Sequence, residues 1–356
     1  MTRTLAILVA ASLHAPVFAQ SDGASPCRDK DRKCAVAAQE RSPVRKLDYW
    51  GPAFAKPLEQ RIGVGARELV TYLNLDNIAN GYPNRPRPVT IPADFVKDVN
   101  DAFAGIPQPV RRLIEKRLAG IYFLKDIGGT GFTEYVFDAA AGPASPPVAG
   151  FTVLDLDVLT GQSANAWATW KENTPFKPHA GFRLEAEIEA KPQDNRRNAI
   201  QYILLHELGH ILSTSAAIHP RWDQAPKQVA SVAGFPFARL SWEIPKGEDR
   251  YASLFDKAFT LRRKVTYYFG ARLEGNRMVQ AYEQLERTNY PTLYAATSPG
   301  DDFAESFVSY VHTVLLGRPL EIRLYRDGKL AKTYRSCWVE QRCAEKRKFL
   351  EELLKS

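Results

Sequence analysis

The stretch NAIQYILLHELGH, residues 198–210, combines an apolar helical pattern with two histidines and a glutamate. Residues four apart on a helix lie nearly one above the other, so His206 and His210 project from the same face and Glu207 lies beside it. Apolar residues cover most of the remaining circumference: Ile200, Ile203, Leu204, Leu208, Ile211 and Leu212. The sequence therefore predicts a buried helix in which two imidazoles and one carboxylate need partners.

Two imidazoles one helical turn apart can bind a single metal ion, and Zn²⁺ is typical of this spacing. A carboxylate beside them, here Glu207, can take a proton from water at the metal. The alternative is a pair of core histidines with ordinary partners, because three fixed residues also match by chance. The apolar flanks favour the metal, so we predict that His206 and His210 bind Zn²⁺ and that Glu207 is the general base.

A zinc site of this kind needs a third protein ligand, and the positions just after the motif do not offer one. The metzincin pattern has a histidine six residues after the second one, where this chain has Ala216. The thermolysin-like pattern has a glutamate that is supported by an aspartate four residues later. Glu243 comes too late for that glutamate, and Gly247 occupies the supporting position.

The stretch YAATSPGDDFAESFVSYVHT, residues 294–313, provides better candidates. Here the sequence resembles the gluzincin superfamily of HExxH zinc metallopeptidases, in particular the branch that includes the bacterial toxin lethal factor. Helices of that branch read roughly E-F-F-A-E, which matches DDFAE. The resemblance implies that Asp301 is the third zinc ligand, that Glu305 supports the site, and that Tyr294 stabilises the oxyanion.

This chain departs from that pattern in one position, since Asp301 is one methylene shorter than the glutamate of the family. Either the second helix lies closer to the metal, or Glu305 or Asp302 is the ligand. The segment is also an ordinary helix start, with Ser298 as N-cap and Pro299 in the first turn. A capped helix can still carry a ligand in its first turn.

The resemblance implies a zincin-like α+β fold, and the residue patterns predict a small, mostly antiparallel sheet followed by a helical lobe. Residues 51–193 would form an N-terminal α/β lobe and residues 194–356 a C-terminal lobe with both ligand helices. The candidate strands are GIYFLKD, TEYVFD, GFTVLDLDVL and GFRLEAEIEA, and either of the last two is a candidate for the edge strand that aligns peptides in gluzincins. Helices are expected at about 195–215, 251–268, 276–288 and 301–316, and Asp327-Gly328 predicts a hairpin.

The start of the chain predicts export. Residues 1–19 have a basic residue, an apolar run and small residues typical of a signal peptide. Residues 20–50 look like an irregular linker or strap. No later segment is apolar enough to span a bilayer. We therefore expect a periplasmic or secreted protein with no transmembrane segment once the signal is removed.

The cysteine content fits an oxidising compartment. Cys27 and Cys34 lie near one end of the mature chain, and Cys337 and Cys343 lie near the other. We expect two disulfides, although four cysteines allow three pairings. The net charge of +8 comes from 48 basic and 40 acidic residues, and the two kinds are interleaved throughout the chain. This pattern indicates a solvated surface and no nucleic-acid partner.

The sequence thus predicts an exported zinc metallopeptidase whose substrate is a peptide or protein. Two alternatives stay open: a zinc-binding envelope protein without catalytic activity, and an endopeptidase acting on cell-wall peptides. The sequence leaves the oligomeric state open.

Overall fold

A computed structural model describes residues 25–142, 145–214 and 217–355 as a mixed α+β fold. The expected signal peptide lies outside the described residues. The helices are α1 (Arg32–Glu40), α2 (Leu47–Phe54), α3 (Arg67–Asn80), α4 (Ala93–Ala104), α5 (Gln108–Ile114), α6 (Leu156–Thr160), α7 (Ala164–Asn173), α8 (Arg196–Ser213), α9 (Pro226–Val229), α10 (Met278–Leu285), α11 (Pro299–Tyr310) and α12 (Ala344–Lys355). The strands are β1 (Ile62–Val64), β2 (Leu118–Leu124), β3 (Gly131–Val136), β4 (Ala149–Asp155), β5 (Phe176–Lys177), β6 (Phe182–Glu187), β7 (Trp242–Glu243), β8 (Ala252–Ser253), β9 (Leu273–Glu274), β10 (Glu321–Arg326) and β11 (Lys329–Arg335).

The larger sheet has four strands in the order β1-β2-β4-β3. Strand β2 pairs in parallel with both β1 and β4, and β3 alone runs antiparallel, to β4. The expectation of a mostly antiparallel sheet is therefore wrong here. Three helices lie between β1 and β2, and such a long connection allows parallel pairing. The side chains of β4 are all buried, as is usual for a strand with parallel neighbours.

The fourth predicted strand belongs to a different sheet. Strand β6 pairs antiparallel with β10, which forms a hairpin with β11. Asp327 and Gly328 form the turn with φ values of 50° and 76°, as a two-residue hairpin loop requires. The predicted hairpin is confirmed, and it joins the last part of the chain to a strand from before residue 194.

The two predicted lobes share one core. Its largest cluster of buried apolar side chains contains Phe123 from β2, Leu204 from α8 and Leu350 from α12. The segment before residue 51 is also packed: α1 lies against α3, and Trp50 is buried with its Nε1 donating to the Val44 carbonyl oxygen at 2.7 Å. The expectation of an irregular strap is wrong for the helical part of that segment.

The helix expected at 251–268 does not form. The segment contains the short strand β8, paired with β7, and a 3₁₀ turn at Arg262–Lys264. Arg262 is buried, and its guanidinium contacts Asp256 and the Ala296 carbonyl oxygen. These tertiary contacts outweigh the helical pattern of the segment.

Both disulfides are local, Cys27–Cys34 and Cys337–Cys343. Two disulfides fit a protein that is exported to an oxidising compartment. Within the described residues, no helix is both long and apolar enough to cross a membrane.

His312, near the end of the stretch 294–313, is a buried titratable group that the predicted site does not use. It is 1% exposed, and its Nε2 lies 2.6 Å from the Ile188 carbonyl oxygen and 3.1 Å from that of Pro319. Burial lowers the pKa of His312 from 6.5 to about 4. Since the folded-state pKa lies below the unfolded-state value, the contribution of His312 to stability is complete above pH 6.5. It is lost as the pH falls toward 4.

We therefore expect acidification from pH 7 to pH 5 to lower the free energy of unfolding by about 2 kcal/mol through His312 alone. His312→Gln should remove this part of the pH dependence, whereas His179→Gln, at an exposed position, should leave it intact. Urea denaturation at both pH values measures the effect. Equal pH dependence in wild type and His312→Gln would contradict the assignment.

Candidate metal centre

The close crossing of α8 and α11 brings the predicted site together. A Cβ atom at Gly209 would lie 2.9 Å from the Ala304 Cα, so a side chain there would push the two helices apart. Gly209 lies between the two histidines of α8, and Ala304 lies between the two carboxylates of α11 that the sequence singles out. The glycine inside the motif therefore determines how near the carboxylates lie to the imidazoles.

His206, His210 and Asp301 converge. Each offers a ligand atom, and these atoms all lie within 4.8 Å of one another. Nε2 of His210 is 3.9 Å from Oδ1 of Asp301. The three side chains are 12%, 15% and 22% exposed, so the cluster is partly buried but still open to a cleft.

Residues at the N-terminal end of α11 donate hydrogen bonds to one carboxylate oxygen of Asp301. Its Oδ2 accepts hydrogen bonds from the hydroxyls of Ser298, at 2.8 Å, and Thr297, at 3.0 Å. Ser298 Oγ in turn accepts a hydrogen bond from the Asp301 backbone N–H, so the predicted N-cap is confirmed. These contacts leave Oδ1 of Asp301 directed toward His210.

Glu305 lies behind the cluster and is fully buried. Its Oε1 is 2.8 Å from Lys171 Nζ and 2.9 Å from His206 Nδ1, and Thr292 donates to its Oε2 at 2.6 Å. The contact with His206 is short, although Nδ1 of His206 makes no hydrogen bond within the described residues. Glu305 therefore supports His206 through Nδ1 and leaves Nε2 of that ring for a ligand.

The charges of this buried group compensate each other. Burial alone would raise the pKa of the Glu305 carboxyl, but the attraction of Lys171 and the contact with His206 outweigh it and lower the pKa well below its usual range. Burial likewise opposes the charge of Lys171, yet Glu305 and Glu172 raise its pKa. Both groups are therefore charged at neutral pH.

Glu207 lies beside the cluster on the side of β3. Its Oε2 accepts a hydrogen bond from Thr133 at 2.6 Å, and a Cβ atom at Gly131 would lie 2.2 Å from its Oε1. A side chain at Gly131 would therefore displace the carboxylate from the position that it has here. Burial raises the pKa of Glu207, which His206 and Thr133 partly offset. A raised pKa suits a carboxylate that takes up a proton near neutral pH.

Tyr294 stacks on His206, with ring centroids 5.6 Å apart and planes 9° apart. Within the described part of the chain its hydroxyl has no hydrogen-bond partner, and Tyr294 lines the cavity beside the cluster. Burial raises the pKa of Tyr294 well above its usual value, so the hydroxyl stays protonated and can donate.

Asp302, the other ligand that the sequence left open, points elsewhere. It is fully buried, its carboxylate contacts Lys346, and it accepts a hydrogen bond from Trp242 Nε1 at 3.0 Å. The prediction of Asp302 as a possible ligand is wrong, because the next position on a helix points about 100° away from the face of Asp301.

Sequence reasoning missed three features of the site: Lys171, the Thr133 and Gly131 pair, and Trp222. The Trp222 ring centroid lies 5.7 Å from that of His210. Lys171 is 134 residues from Glu305, and no local pattern links them. The sequence of β3 does show a strand pattern, but that pattern does not predict which of its residues lie against Glu207 of α8.

Comparisons of the chain with models of protein families, with curated proteins and with solved structures find no match. The chemistry of the residues described above is therefore the basis for assigning a function.

The ion pair of Lys171 with Glu305 yields a test of stability. Lys171→Met leaves a carboxylate buried without its cation, so we expect the free energy of unfolding to fall by about 3–5 kcal/mol. Urea denaturation at pH 7 measures the change. Lys177→Met is the matched control, because its ion pair with Glu274 is more than half exposed, and it should leave stability unchanged. Equal stability of both variants would contradict the structural role of the buried pair.

Proposed function

We propose that the protein is a zinc-dependent metallopeptidase with a zincin-like fold of the gluzincin type. The convergence of His206, His210 and Asp301, with Glu207 beside them, is the observation that supports this proposal most strongly. The two disulfides fit the expected periplasmic or secreted location.

The donor set suits zinc. Two imidazole nitrogens and one carboxylate oxygen match the ligand types of catalytic zinc sites, which leave a further position open. Neither Nε2 atom of the histidines is hydrogen-bonded in the described residues, so both are available as ligand atoms. The close approach at Gly209 supports the shorter Asp301 as third ligand, because it brings α11 nearer to α8.

The proposed reaction is hydrolysis of a peptide bond. Zinc at such a site lowers the pKa of a bound water and polarises a carbonyl. Glu207 takes the proton from the attacking water and passes it to the leaving amine. The Tyr294 hydroxyl donates a hydrogen bond to the oxygen that becomes negatively charged. Glu305 and Lys171 hold His206 in place throughout.

Strand β3 is the best placed strand to align an extended substrate. It lies at the edge of the larger sheet, and its first residue, Gly131, faces the Glu207 carboxylate. Of the two strands that the sequence suggested for this role, β4 has neighbours on both sides and β6 belongs to the three-stranded sheet. A peptide that paired with the free edge of β3 would pass Glu207.

The first test separates metal binding from catalysis. We expect His206→Ala and Asp301→Ala to lose bound zinc and hydrolysis, whereas Glu207→Gln keeps zinc and loses at least about 100-fold in rate. Zinc content is measured by elemental analysis, and hydrolysis is measured on an unfolded protein. His179→Ala, an exposed histidine away from the cluster, is the control. Full activity of Glu207→Gln would remove the general-base role.

A second test concerns Tyr294. Tyr294→Phe keeps the ring that stacks on His206 and removes the hydroxyl. We expect kcat to fall by about 100-fold with little change in KM, because the lost hydrogen bond forms mainly in the transition state. Steady-state kinetics on one peptide measure both constants. A change in KM alone would show that the hydroxyl binds substrate only.

A further inference from the structure

A cavity of about 140 Å³ opens directly beside the cluster of His206, His210 and Asp301. His206, Glu207 and Tyr294 form one of its walls. The apolar part of the lining comes from Phe132, Trp167, Ile203, Tyr268 and Phe269. A group bound in this cavity would therefore lie next to the reacting atoms of the proposed site.

The size of the cavity suits one ring. An apolar protein cavity of about 150 Å³ is known to take up benzene. A phenyl ring or a leucine side chain would fill the space beside Glu207, whereas a tryptophan side chain would be too large for it.

In the lining, Lys171 is already paired with carboxylates, and the Glu207 and Asp76 carboxylates are hydrogen-bonded to neutral groups. Lys171 contacts Glu305 at 2.8 Å and Glu172 at 3.5 Å, Glu207 accepts from Thr133, and Asp76 accepts from Gln39 Nε2 at 3.0 Å. An acidic side chain entering the cavity would lose hydration without gaining a free cation, and it would face the carboxylates of Glu207 and Asp76. The electrostatics of the cavity thus disfavour an acidic occupant, and its apolar walls favour an apolar one.

Two aromatic rings from distant positions in the sequence form part of the cavity wall. Tyr82, just after α3, stacks on Phe269 with ring centroids 4.4 Å apart and planes 8° apart. Phe269 lines the cavity and is 53% exposed, so much of its ring is available to contact a bound group.

The backbone around Phe269 is unusual. Tyr268 has φ of 65°, which is rare for a residue with a bulky side chain, and Gly270 follows with φ of 91°. Such strain persists where the surroundings enforce it, and it is concentrated at binding and catalytic sites. Phe269 lies between these two positive-φ residues and stacks on Tyr82.

We propose that Tyr82 and Phe269 determine substrate specificity by enclosing one apolar side chain of phenylalanine or leucine size, next to the peptide bond that is cleaved. This inference rests on the proposed function and adds the class of substrate to it.

The experiment begins with the zinc-loaded protein and an unfolded protein substrate, in which mass spectrometry locates the cleaved bonds. Peptides around one such bond are then made with Phe, Leu, Lys, Glu or Gly at each residue flanking it. We expect kcat/KM at one flanking position to be at least 10-fold higher for Phe and Leu than for the other three. Phe269→Ala and Tyr82→Ala should lower the Phe value by about 3- to 10-fold and leave the Gly value unchanged.

Leu330→Ala is the matched control. Leu330 is 55% exposed on the β10–β11 hairpin, so its truncation removes a similarly exposed apolar side chain away from the cavity. It should leave all five values unchanged.

The outcomes separate this inference from the proposed function. Equal cleavage of all five peptides, or the same loss with Leu330→Ala, would overturn the cavity proposal and leave the peptidase intact. A preference for Lys would overturn it in favour of attraction by Asp76.

If no peptide is cleaved, the proposed function fails, and a binding measurement then tests the cavity by itself. N-acetylphenylalaninamide is titrated into zinc-treated Glu207→Gln protein and followed by NMR. Binding that weakens in the Phe269→Ala background supports the cavity as a site for an aromatic ring. Absence of binding, or equal binding in both backgrounds, overturns it.

Discussion

Glu305 carries a negative charge at a fully buried position, and its contacts with Lys171 and His206 connect three helices. Lys171 belongs to α7, His206 to α8 and Glu305 to α11. A charge in the interior is tolerated only when it is paired, so movement of α7 or α11 would leave an ion without its partner, and movement of α8 would break the contact with His206. The orientation of the first imidazole thus depends on a residue from before the motif and on another from well after it.

The second imidazole and Asp301 depend on packing and capping. Gly209 permits α8 and α11 to approach closely, and Ser298 and Thr297 fix one oxygen of Asp301. Side-chain length and helix spacing are then matched, since a shorter carboxylate suits helices that lie closer together. Gly209, which occupies one of the two unspecified positions of the HExxH motif, therefore has a geometric function.

Local sequence patterns predicted much of the site. The helix expected at 195–215 forms at Arg196–Ser213, because its apolar pattern and the Asn195 cap both act within a few residues. The resemblance to gluzincins singled out Asp301 and Glu305, and the structure places the former in the cluster and the latter behind it. The Asp327-Gly328 turn likewise follows from backbone conformation alone.

The features that the sequence did not predict depend on contacts between distant parts of the chain. Parallel pairing of β1, β2 and β4 depends on connections that cross over the sheet. The segment 251–268 has a helical sequence pattern but adopts a non-helical conformation in which Arg262 pairs with Asp256. The ion pair of Lys171 with Glu305 cannot be predicted from the sequence around either residue, because ion pairs between distant segments have no preferred separation along the chain.

The most direct test of the metal centre is a crystal structure of the zinc-treated protein, with anomalous diffraction recorded on both sides of the zinc absorption edge. We predict one zinc ion per chain between His206, His210 and Asp301. Glu305 should contact Nδ1 of His206 and should not bind the ion. No ion at this cluster, or an ion bound through Glu305 while Asp301 points elsewhere, would contradict the account.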